Sequence, residues 1–209
     1  MQMVEWLQNL NDKVSIIIVD NASTYPPLIE YYNSLDYPNT QVLRFAENHC
    51  LNKVIAISQT IKSNDYYVIT DSDLIPYPDT SPDMLSRMKT MLDKYKDINH
   101  IGASLAINDI PDHYPLREKV IEWENQFWTN PREEGVFEAF VDTTFGMYRS
   151  NSYAMELYPA LRLGENYTLK HVDWYLDPEN ISKESKYNLD RLNSTSTWMT
   201  RLKTSILDV

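Results

Sequence analysis

Short apolar runs alternate with amphipathic stretches through the first half of the chain. Residues 2–10, QMVEWLQNL, put Met3, Trp6, Leu7 and Leu10 at helical spacing. Residues 14–19, VSIIIV, form a nearly unbroken β-branched run, the pattern of a strand buried on both faces of a parallel sheet. DNAST, at 20–24, ends that strand with small polar turn formers. Pro26 and Pro27 suit the opening of a helix that carries Leu28, Tyr31, Tyr32 and Leu35 inward. Residues 41–45 predict a second strand. Residues 51–61 predict a helix with Leu51, Val54, Ile55, Ser58 and Ile61 on one stripe. YYVIT, at 66–70, predicts a third strand, which runs out at Asp71, Ser72 and Asp73.

The second half is more mixed. A helix is expected from Pro82 or Asp83 to about Tyr95, and a strand over 100–107. Residues 116–128 have a helical pattern with Val120, Ile121, Trp123, Glu124, Phe127 and Trp128. Strand-like runs at 136–141 and 143–148 flank Asp142, another covers 166–172, and 179–192 is polar with helical character. NPREEG, at 130–135, is charged and turn-rich, as a mobile loop would be. With no repeat and no low-complexity linker, residues 1–209 are expected to form one domain. The fold class is α/β: a mostly parallel central sheet flanked by helices, Rossmann-like, with a mixed second half. Ligands of such sheets sit beyond the carboxyl ends of the strands. Asp20 and the pair Asp71 and Asp73 are therefore expected to meet on one sheet edge.

Composition narrows the function classes. Thirty Asp and Glu against nineteen Lys and Arg give a formal charge of -11. A field of that sign repels nucleic acid and anionic lipid surfaces, although a bound cation can invert it locally. The single cysteine, Cys50, excludes an internal disulfide. It sits beside His49 in AENHC, with no second close pair for a zinc site and no base partner for a nucleophile. No apolar run approaches the roughly 20 residues of a membrane helix. A reducing, cytoplasmic setting, bacterial or viral/host cytosol, is the expectation. Four N-x-S/T sequons begin at Asn21, Asn166, Asn180 and Asn193. A glycan on Asn21 would obstruct the strand tip beside it, which fits synthesis outside the secretory lumen. Fifteen Tyr and five Trp offer flat faces that suit a sugar or a base as well as core packing.

Two strand tips carry the strongest chemical signals. In YYVITDSDL, two carboxylates follow a buried strand, the oxygen-rich setting that Mg²⁺ or Mn²⁺ favours. Asp73 is read as a metal ligand, and Asp71 as steering a ribose or a metal-bound water, with Ser72 between them. In VSIIIVDNAST, Asp20 can accept a hydrogen bond from a base N–H such as uracil N3, with Asn21 and Ser23 stiffening the turn.

VSIIIVDNASTYPPL, YYVITDSDLIP, EWENQFW, VDTTFGMYRS and HVDWYLDP, spread over residues 14–178, make the chain resemble nucleotide-sugar glycosyltransferases of the GT-A fold, particularly the large inverting, family 2-like group. The resemblance implies an enzyme that moves a sugar from a nucleoside diphosphate sugar, a UDP-sugar foremost, to a hydroxyl of a glycan or other acceptor. It implies Mn²⁺ or Mg²⁺ as cofactor. It divides the domain into a nucleotide-sugar half, 1–98, and an acceptor half, 99–209. Asp20 takes the base, Asp71 the ribose side, and Asp73 the metal. His171 is a candidate third metal ligand, since such enzymes often use a late histidine there. Arg44, Lys53 and Arg149 are candidate phosphate partners. Asp173, Asp142 and Glu124 are candidate general bases, Asp173 first because it lies where the resemblance puts a catalytic acid. Trp123, Trp128 and Trp174 are candidate acceptor platforms. Members of the group begin with a strand ahead of the first helix, whereas this sequence starts at QMVEWLQNL; a base pocket with one open wall is expected only if that strand is lost rather than outside this sequence. Further domains beyond this chain and the oligomeric state are left open.

Other classes remain. The same fold without turnover would be a nucleotide-sugar-binding or scaffolding domain. A nucleotidyltransferase would need a glycine-rich phosphate loop, and the four glycines, at 102, 135, 146 and 164, supply none. A plain interaction module would leave the strand-end aspartates unexplained.

Overall fold

The structure is a computed structural model that describes residues 2–49, 51–60, 66–150, 152, 156–192 and 197–207. Cys50, Ile61 and Asn193 lie outside the described residues, as does the side chain of Ser58. The chain runs α1 (Gln2–Gln8), β1 (Ile16–Asp20), α2 (Pro26–Ser34), β2 (Thr40–Arg44), α3 (Leu51–Thr60), β3 (Tyr66–Thr70), β4 (Leu74–Pro76), α4 (Met84–Lys94) and β5 (His100–Leu105). It continues through α5 (Arg117–Asn125), β6 (Pro131–Glu133), β7 (Val136–Glu138), β8 (Phe145–Arg149), β9 (Ala160–His171), α6 (Lys183–Arg191) and α7 (Thr197–Leu207).

The alternation of strands and helices in the first half follows the sequence pattern, but the sheet does not. β1 and β2 pair in parallel as a separate two-stranded sheet. The large sheet has the order β3-β8-β5-β9-β7-β6, with β4 also on β9. Within it only β5 and β9 are parallel. The expected mostly parallel sheet is thus corrected to a mixed, mostly antiparallel one flanked by helices. An apolar run buried on both faces looks the same whichever way its neighbours point. β5 shows this: all six residues are buried, and it lies between antiparallel β8 and parallel β9. The β1 expectation also needs correction. Ile16–Val19 are only half-buried, and among the described residues β1 pairs with β2 alone.

The core lies between α4 and the large sheet. Met84, Leu85, Met88, Met91 and Leu92 recur at three- and four-residue steps and are all buried. Truncating a fully buried methionine such as Met88 to alanine costs about 2–5 kcal/mol. Gly102 leaves room for the Val141 side chain and the β8 backbone: a Cβ there would sit 2.7 Å from Val141 Cγ1 and 2.8 Å from the Phe145 carbonyl.

Two further expectations change. NPREEG is not a loose loop but the β6–β7 hairpin, turned by Gly135 at φ 68°. Its charges are held, with Arg132 on Glu138 and Asp97, and Glu133 on Arg87, Lys94 and Tyr95. β9 starts at Ala160, six residues before the predicted strand. Gly164-Glu165-Asn166 reads as a turn, and the pairing with β5 does slip there, from Ala103↔Leu163 to Ser104↔Thr168. The strand nevertheless continues through the irregularity.

Candidate metal and catalytic site

The Asp-Ser-Asp turn between β3 and β4 is pinned from two sides. The Asp71 amide donates to the Thr144 carbonyl at 2.8 Å, tying the turn to the segment entering β8. The Val172 amide donates to the Asp73 carbonyl at 2.8 Å, and the β4–β9 register sets Leu74 opposite His171. Strand pairing thereby closes a gap of almost one hundred residues in sequence. Ligand atoms of Asp71, Asp73 and His171 all lie within 4.8 Å of one another.

The electrostatics of this cluster are those of crowded carboxylates. Burial, then the charges of Asp73, Asp142 and Asp173, push Asp71 up to about 8. Asp173 is raised as well, first by burial and then by the charge of Asp73, with which it also shares a hydrogen bond. In the absence of a cation the pocket therefore holds protons that ordinary carboxylates would release at neutral pH. A divalent ion reverses that preference.

The residues present fit such an ion. His171 Nδ1 is buried, has no hydrogen-bond partner and points to within 3.4 Å of Asp73 Oδ2. Its ring is fixed by stacking on Trp174, with centroids 4.9 Å apart and planes 10° from parallel. Two ligands held at about 2.1 Å from one ion can stand no more than about 4.2 Å apart. The observed spacing requires only a slight contraction. Two carboxylates with one imidazole suit Mn²⁺ or Mg²⁺ with sites left for water and phosphate.

The other predicted residues divide. Asp142 is exposed, and its Oδ1 accepts the Thr144 amide at 2.9 Å. It lines a small pocket with Ala103, Leu105, Val141, Thr144, Phe145 and Arg162. Glu124 is buried, and its Oε2 accepts from Arg162 at 2.8 Å. Asp20 and Arg44 are register partners on β1 and β2, and they pair with each other at 3.1 Å. Asp20 also accepts the Ser23 amide, and its side chain has 0% exposure. It is also not among the charges that act on Asp71. Asn21 Oδ1 accepts the His49 amide at 3.4 Å, Lys53 lies 5.5 Å over the Phe45 ring, and Ser72 is exposed in the turn. Arg149 donates to the Leu92, Tyr95 and Ile98 carbonyls, which makes it a structural brace.

Among the tryptophans, Trp174 is 1% exposed and stacks on His171. Trp128 packs edge-on against Phe137 and is half-buried. Trp123 is exposed.

Three participants were not foreseen. Tyr114 is buried with its hydroxyl unpartnered, and its pKa is raised by burial and then by the charge of Asp173. Arg162 binds Glu124 and the Phe140 carbonyl. Asp109 accepts from Lys170, Tyr77 and Tyr175, tying β4 to the end of β9 beside the cluster. Lys170 and Tyr175 flank His171 and Asp173 in sequence, the one signal that pointed there.

Searches among curated proteins and among solved structures found no match. A family profile described as glycosyl transferase family 2 matches residues 2–156. That span holds Asp20, Asp71, Asp73 and Asp142 and stops short of His171 and Asp173. The match covers about three quarters of the chain and agrees with a mixed α/β fold of GT-A type. This chain belongs to glycosyl transferase family 2.

Proposed function

We propose that this protein is a metal-dependent glycosyltransferase that moves a sugar from a nucleoside diphosphate sugar, a UDP-sugar foremost, to a hydroxyl of a glycan or other acceptor, with inversion. The observation that carries this is the Asp71, Asp73 and His171 cluster inside a family 2 chain. Those three residues would hold Mn²⁺ or Mg²⁺. When bound, the ion supplies positive charge opposite the donor diphosphate and its developing negative charge.

The chain's own residues cover the remaining chemistry. Asp173 is the first choice as general base, because its surroundings raise its proton affinity. Asp142, exposed at the mouth of the neighbouring pocket, is the second choice. The base takes the proton of the acceptor hydroxyl. The hydroxyl oxygen bonds the anomeric carbon as the bond to the diphosphate oxygen breaks, and the diphosphate leaves with the electron pair. One displacement inverts the anomeric centre.

The nucleotide-sugar half, 1–98, would contribute Asp71 and Asp73, and the acceptor half, 99–209, His171 and the bases. No helix among the described residues is long and apolar enough to cross a membrane. The expectation of a cytoplasmic enzyme is retained as part of this proposal.

A binding or scaffolding domain without turnover is a second reading, favoured by the Asp20–Arg44 pair occupying the expected base contact. UDP release from a panel of UDP-sugars with Mn²⁺ separates the two. Turnover that is abolished by chelation and by Asp73→Ala supports the transferase. Undiminished turnover in Asp73→Ala removes the metal assignment, and no release from any donor with any acceptor favours the second reading.

A further inference from the structure

Four rings of the acceptor half form a continuous chain of contacts. Trp123 meets Phe127 edge-on at 5.7 Å, Phe127 lies 6.5 Å from Phe140, and Phe140 meets Tyr158 at 5.8 Å with planes 85° apart. Phe127 is buried and anchored, with the Arg162 guanidinium 4.1 Å over its ring. The other three are open: Trp123 is 51% exposed, Phe140 50% and Tyr158 53%. Large aromatic rings exposed together are costly in water, and such patches mark ligand or partner sites.

This patch is joined to the metal cluster through the backbone. Residues 139–142 alternate buried, exposed, buried, exposed, and the amides of Ala139 and Val141 donate to the Ala160 and Leu157 carbonyls. Phe140 and Asp142 therefore share the outer face, one two-residue step of roughly 7 Å apart. Asp142 in turn is close enough to act on the charge of Asp71.

We propose that Phe140 and Tyr158, with Trp123 alongside, form the acceptor subsite and bind the apolar face of a neutral pyranose ring. This deepens the transferase proposal and rests on it. The perpendicular pair makes a floor and a wall, which a single sugar ring fills better than a flat surface does. The exposed charges nearest these rings in sequence, Glu122, Asp142 and Glu156, are carboxylates. Carboxylates accept hydrogen bonds from sugar hydroxyls, and they repel the phosphates of a lipid surface.

The test uses saturation-transfer NMR on the full chain with the methyl glycosides of glucose, galactose, mannose and N-acetylglucosamine. At least one glycoside is expected to receive saturation on its ring-face protons. Phe140→Ala and Tyr158→Ala should each weaken its binding by roughly five- to tenfold, the worth of one ring contact. Calorimetric Mn²⁺ affinity should stay at the wild-type value in both variants, which also shows that they fold. The proposal is overturned if no glycoside binds, or if both variants bind it as the wild type does. It is equally overturned if the variants instead lose binding to phosphatidylcholine vesicles or lose a concentration-dependent dimer. Absence of Mn²⁺ binding to the wild type would count against the transferase proposal itself.

Discussion

His171 Nδ1 faces Asp73 Oδ2 at 3.4 Å and has no hydrogen-bond partner, although it is buried. A buried ring nitrogen left in this way costs about 1–3 kcal/mol, and a shared cation removes that cost. The pairing of β4 with β9 creates the relationship, since it brings Leu74 opposite His171.

Replacing either ligand should weaken the site without unfolding the chain. His171→Ala is expected to lower Mn²⁺ affinity by at least about tenfold, and Asp73→Ala by more. Isothermal calorimetry measures both, with circular dichroism confirming the fold.

Asp71 makes the metal-free protein respond to pH in a defined direction. Its folded pKa, about 8, lies above the unfolded value of 3.8, so the folded state holds the extra proton. Its contribution to stability is full below about pH 4 and is lost as pH rises toward 8. His100 acts oppositely: burial lowers its pKa below 6.5, so falling pH costs stability there. In EDTA, the thermal midpoint of the wild type relative to Asp71→Asn should decline between pH 5 and 8. Mn²⁺ binding over the same range should release protons, seen as buffer-dependent heats.

The buried Glu124–Arg162 pair is expected to be structural. Glu124→Ala alone should cost about 3–5 kcal/mol, because it strands a buried guanidinium. Replacing both partners with methionine should recover most of that loss. Urea denaturation of the two variants tests the difference, and equal losses would contradict it.

Asp20 offers a sharper choice. If its role is the ion pair with Arg44, Asp20→Ala should lower stability by about 1–3 kcal/mol. If it is a base contact, the variant should raise the donor KM and leave stability alone. The 0% exposure of the side chain favours the first outcome.

The sequence made the local chemistry legible and left the long-range partners obscure. The strand ending in Asp-Ser-Asp could be read because a polar pair after an apolar run is a local pattern, whereas His171 entered only through the family resemblance. The sheet direction could not be read, because β5 is buried at every position between one antiparallel and one parallel neighbour, and burial does not record which is which. The burial of Trp174 and Glu124 is hidden for a related reason. Residue type does not reveal burial, and Arg162, which occupies Glu124, is 38 residues away. Asp20 was read in isolation, whereas its fate depends on the parallel register that sets Arg44 beside it. The span 193–209 carried no expectation, yet Met199 and Leu202 of α7 join the core.

Anomalous diffraction at the manganese edge, from crystals soaked with Mn²⁺ and UDP, tests the metal centre most directly. One peak is expected, within coordination distance of Asp71, Asp73 and His171, with the UDP diphosphate on its open side. A peak bound elsewhere, or UDP ordered with no metal beside those three residues, would contradict the account.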